Sequence, residues 1–90
     1  MPVKSLYQDR KRKDLEELEA RIAEIAAKIE PQDGEAADLL DKLRDRYRDA
    51  ENAFARLEAA GEDWEELMDS VDAAFRNVYL NLQRMAQRLE

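Results

Sequence analysis

Apolar residues return every three or four positions along most of this 90-residue chain, and two breaks in that rhythm divide it into three amphipathic helices. The first helix is predicted over roughly residues 6 to 30, where Leu15, Leu18, Ile22, Ile25 and Ile29 fall on one stripe. Extended backward, that stripe meets Lys11 and Gln8 rather than Leu6 or Tyr7. The opening turns are therefore expected to fray or to pack differently, behind a loose leader at residues 1 to 5. The second helix, about 34 to 60, carries Ala36, Leu40, Leu43, Tyr47, Ala50, Phe54 and Leu57, widened by Leu39 and Ala53 as a helix touching two neighbours requires. Tyr47 on that stripe needs a partner for its hydroxyl. The third helix, about 63 to 89, is the most regular. Trp64, Met68, Val71, Phe75, Val78, Leu82, Met85 and Leu89 alternate steps of four and three, a heptad pattern. Leu67, Ala74, Tyr79 and Leu80 lie beside it.

The breaks differ in kind. Pro31 clashes with a preceding helical turn and lacks a donor, and Asp33 with Gly34 favours a reversal, so the chain should turn over residues 30 to 35 with Asp33 capping the second helix. At the second break, Gly61, Asp63 and Glu66 resemble a capping box. The heptad nevertheless runs on in phase through Leu57, Gly61, Trp64 and Met68. One in-register glycine costs a helix about 1 kcal/mol. A turn is favoured, and a single helix from about 34 to 89 stays open. The fold class is all-α: an antiparallel three-helix bundle or coiled coil in one domain spanning residues 1 to 90, with completion by oligomerisation left open.

Charge changes the picture in two places. Charged residues make up 41% of the chain, which would also suit disorder, so the periodic apolar positions carry the case for a fold. In an up-down-up bundle the basic run Arg10, Lys11, Arg12 and Lys13 would face Glu62, Asp63, Glu65, Glu66 and Asp69. Acid-first pairs four apart, Glu17 with Arg21, Glu24 with Lys28, Asp38 with Lys42 and Asp72 with Arg76, are expected to support helicity by a few tenths of a kcal/mol each. The net charge of −7 works against nucleic acid and anionic lipid as partners.

Candidate chemistry is sparse. The sequence contains no cysteine, histidine or threonine, and its serines are Ser5 and Ser70, so neither a nucleophile with a histidine base nor an imidazole or thiolate metal site can be assembled. No catalytic, cofactor-binding or metal-ligating residue is assigned, no small-molecule substrate is expected, and the chain is expected not to be an enzyme. Acid pairs such as Asp41 with Asp45 read as a solvated face, with weak calcium or magnesium association as the alternative. With no apolar run suited to a signal peptide or a membrane span, a cytoplasmic location is expected. Flanking an already complete stripe, Leu67, Tyr79 and Leu80 are the candidate partner interface, together with the basic run Arg10, Lys11, Arg12 and Lys13. These features point to a non-enzymatic structural or protein-interaction module that associates with itself, or alternatively to a small monomeric adaptor or inhibitor that docks on a basic protein.

Gly61, Trp64, Leu67, Val71, Ala74 and Phe75 form a pattern of their own: a small residue, an acidic tryptophan-containing start and an alanine-aromatic pair. In this respect the C-terminal third resembles the ending of a family of short bacterial coiled-coil proteins related to the stress response, first named from cyanobacteria. The resemblance implies a charged helical protein with a stress-related role, and it assigns no catalytic or binding residue.

Overall fold

The computed structural model describes residues 4–89, the side chain of Leu89 excepted. Residues 1 to 3 of the leader expected over residues 1 to 5 and the stripe position of Leu89 lie outside the described residues, and residues 4 and 5 of that leader are helical. The described residues form three helices: α1 (Lys4–Lys28), α2 (Gly34–Ala59) and α3 (Trp64–Leu89). The Lys4 ammonium donates to the Ala60 carbonyl at 2.7 Å, placing the start of α1 beside the end of α2. At the opposite end Arg88 reaches Asp33 at 3.3 Å and Glu35 at 3.1 Å, placing the end of α3 beside the start of α2. The three helices therefore run up, down and up in a rod of 50 × 17 × 17 Å.

Each helix ends for a local reason. After α1, Pro31 and its neighbours close a reversal in which Asp33 N–H donates to the Glu30 carbonyl at 3.0 Å. Asp33 then caps α2 as expected, its carboxylate accepting from the Ala36 N–H at 3.1 Å. That bond to a helix N-terminus, opposed by slight burial and aided by Arg88, holds the Asp33 carboxyl below its ordinary range. The second break is a turn, and the continuous helix is excluded. Ala60 is extended at φ −73° and ψ 149°, which stops α2. α3 starts on backbone bonds, Trp64 N–H to the Gly61 carbonyl at 3.3 Å and Glu66 N–H to the Asp63 carbonyl at 3.1 Å, instead of on the side-chain capping box. Gly61 has no positive φ, and a Cβ added there would meet nothing within 4 Å, so the turn does not depend on glycine's freedom.

The core follows the three stripes. Leu18, Ile22 and Ile25 of α1, Leu40, Leu43, Ala50, Phe54 and Leu57 of α2, and Trp64, Val71, Phe75, Val78, Leu82 and Met85 of α3 form one buried cluster. Tyr47 finds the partner it needs, donating to the Leu15 carbonyl at 3.2 Å. Burial, with the negative charges of Glu51 and Glu19 nearby, pushes its phenol up to about 12. Among the described residues no buried side-chain polar atom lacks a hydrogen-bond partner. Packing is uneven: α2 and α3 form a close hairpin, and α1 lies more lightly against both.

Two expectations need correction. Of the two outcomes expected for the opening turns of α1, fraying does not occur and different packing does. The helix runs from Lys4, and its stripe keeps its phase because Lys11 takes the core-facing position that an aliphatic residue would hold elsewhere. A long lysine stem can cover apolar surface while its ammonium reaches a polar partner, and here Tyr7 beside it packs on the core as well. The local ion pairs also differ. Among the described residues they close at a spacing of three, Lys11 with Asp14, Arg12 with Asp9 and Arg46 with Asp49, rather than at the expected spacing of four.

Candidate functional site

The most elaborate polar arrangement in the molecule joins the first turns of α1 to the hairpin. Lys11, whose side chain is 14% exposed, places its ammonium 3.1 Å from the Asp72 carboxylate of α3. It also lies 4.7 Å from the ring centre of Phe75 and 5.4 Å from that of Tyr7, so one cation meets a carboxylate and two aromatic faces. The Tyr7 hydroxyl donates to the same carboxylate at 2.8 Å, and its ring sits 6.1 Å from Trp64, tilted by 47°. Arg12 pairs with Glu58 of α2. This clasp is formed because the phase of α1 turns Tyr7 and Lys11 inward while the heptad of α3 puts Asp72 on the flank beside Phe75.

Its electrostatics are those of a structural contact. Burial raises the Tyr7 phenol, and the neighbouring Asp72 raises it further, so it stays protonated across the ordinary pH range. Partial burial also pushes the Asp72 carboxyl up, but the hydrogen bonds from Tyr7 and Lys11, with the positive charges of Lys11 and Arg76, outweigh it. Asp72 therefore titrates below 3.8. A carboxyl depressed in the folded state contributes stability above its unfolded pKa, and that contribution is lost as the pH falls through the folded value. Asp72→Asn is expected to cost about 1 kcal/mol near neutrality, a figure already reduced for screening at a half-exposed pair. The difference from the parent should close as the pH is lowered below 3.8, in urea titrations at a series of pH values. A gap that stays constant down to full protonation would show that the charge of Asp72 contributes nothing.

The candidate interface residues do not form one patch. The basic run is divided: Lys11 points inward, Arg12 pairs with Glu58, and Arg10 and Lys13 remain exposed. The acids of the other helices that meet the run are Asp72 and Glu58, not Glu62, Asp63, Glu65, Glu66 and Asp69, which stay exposed. Leu67 is partly buried against the core, so the flank of α3 that it widens is used inside the bundle. Tyr79, 40% exposed, lines a shallow groove with Arg21 of α1 and with Leu82, Gln83 and Ala86 of α3. Burial raises its phenol, and Asp14 and Glu17 of α1 raise it further. Leu80, 46% exposed, is one residue on and therefore about 100° around the helix, facing away from that groove. Leu6, at 66%, is the most exposed large apolar residue described.

Sequence reasoning missed Tyr7 and Asp72. The signal was present in the backward extension of the stripe to Lys11: a cation forced inward needs an anion, and Asp72 is the acid that flanks Phe75 on α3. Among the described residues no three metal-binding side chains gather as a metal site would require. No described helix is long and apolar enough to cross a membrane. No family model matches the chain, and no curated protein or solved structure gives a significant match to it.

Proposed function

We propose that this chain is a non-enzymatic protein-interaction module that acts by helix packing in the manner of a coiled coil and associates with copies of itself, in a cytoplasmic and stress-related setting. The observation that carries the reading is the uneven packing: α2 and α3 make a close apolar hairpin, and α1 covers it lightly. An apolar hairpin face whose cover is light, and held over its first half by exchangeable polar contacts, is suited to accept another amphipathic helix. Sedimentation velocity from micromolar to millimolar protein should show a mass of two or more chains appearing with concentration. A single 10.5 kDa species throughout would exclude self-association.

A second reading has its own support. Glu62, Glu65, Glu66 and Asp69 are exposed at one end of the rod, and the ion pairs of the molecule form elsewhere among the described residues. A monomer could dock this acidic end on a basic protein, which electrostatic complementarity would steer and orient. Association abolished by moderate salt, with the chain monomeric on its own, is the outcome that favours this reading.

A further inference from the structure

We propose that the partner of the α2–α3 hairpin is α1 of a second copy, so that the chain dimerises by exchanging its first helix. The proposal rests on the self-association reading above and identifies the surface through which it occurs. α1 contributes three buried side chains, Leu18, Ile22 and Ile25, whereas α2 contributes Ala36, Leu40, Leu43, Ala50, Phe54 and Leu57. All three lie in its second half. The first half is attached through Lys4 to the Ala60 carbonyl, Tyr7 and Lys11 to Asp72, and Arg12 to Glu58. Contacts of this kind are weakened by water and salt far more readily than buried apolar area is. α1 is therefore the layer that opens at least cost.

The surface it leaves fits one helix in particular. Asp72 with the Phe75 ring accepts a lysine, the same carboxylate accepts a tyrosine hydroxyl four residues earlier, and Glu58 accepts an arginine one residue later. Tyr7, Lys11 and Arg12 supply that set at that spacing, and another copy of the chain supplies them again. Residues 29 to 33 connect α1 to α2 and can straighten, since five extended residues span roughly 17 Å. Exchange between identical chains forms the same contacts in both states, which makes it a low-cost route to a dimer. A tethered helix competes at an effective concentration in the millimolar range, so the exchanged form is populated toward that concentration. Loosening the clasp changes how fast α1 leaves more than where the equilibrium lies.

The test uses the absence of native cysteine. Arg21 of α1 and Gln83 of α3 line the same groove. The double variant Arg21→Cys with Gln83→Cys should cross-link within one chain through a short bismaleimide, and failure of that control would remove the α1–α3 seating on which the proposal stands. The single variants Arg21→Cys and Gln83→Cys are then mixed at high concentration and cross-linked. Exchange yields a covalent heterodimer joined through those two cysteines, and Asp72→Asn in both chains should make it form about fivefold faster. Dimers by mass without that cross-link would overturn the exchange while leaving self-association intact. Monomers by mass without the cross-link would remove both.

Discussion

Phe75→Ala is expected to destabilise the protein by about 3 to 5 kcal/mol, a large part of the total of about 5 to 15 kcal/mol available to a domain. Phe75 is 2% exposed and stands where the heptad of α3 meets the inward face of α1. Its removal leaves a cavity that three rigid helices cannot collapse to fill. It also removes the ring over which the Lys11 ammonium lies at 4.7 Å, so the semi-buried cation loses one of its contacts. Urea unfolding followed by helical ellipticity measures the change, and a loss below about 1 kcal/mol would place Phe75 outside the core.

Leu43→Ala should cost about 2 to 5 kcal/mol in the same measurement. Leu43 is fully buried at the middle of α2, the helix that touches both others. The control is Leu80→Ala. Leu80 faces solvent on the outer side of α3, and its truncation should stay within about 0.5 kcal/mol of the parent. If Leu80 proved as costly as Leu43, the orientation of α3 given by its heptad would be wrong.

The contrast between those two leucines shows why so much of the fold was legible in the sequence. Periodicity decides which side of a helix is apolar, and for α2 and α3 the stripe positions from Ala36 to Leu57 and from Trp64 to Met85 are the ones that enclose the core, with Tyr47 and Met68 partly exposed. Pro31 and Asp33 marked the first turn for reasons that the backbone bears out. Gly61 marked the second turn correctly but for a different reason, because Ala60 stops α2 and the glycine conformation is not required. Periodicity does not report how a polar residue at a core phase is accommodated. Lys11 read as a defect in the stripe, and only the three-dimensional approach of Asp72 and Phe75 makes it a contact. The width of α3 was ambiguous for the same reason. Leu67 and Ala74 are used against the core, Tyr79 at a groove and Leu80 in the open, a division set by neighbouring helices rather than by local pattern.

The chain's one tryptophan sits at the mouth of this clasp, nearly buried and within a ring's width of Tyr7. Indole emission is therefore a local gauge rather than an average over the molecule. Lifting the first turns of α1 would wet Trp64 and shift its spectrum to the red, while ellipticity, which sums all three helices, would scarcely change. The molecule thus carries its own optical means of telling a raised latch from a melted rod.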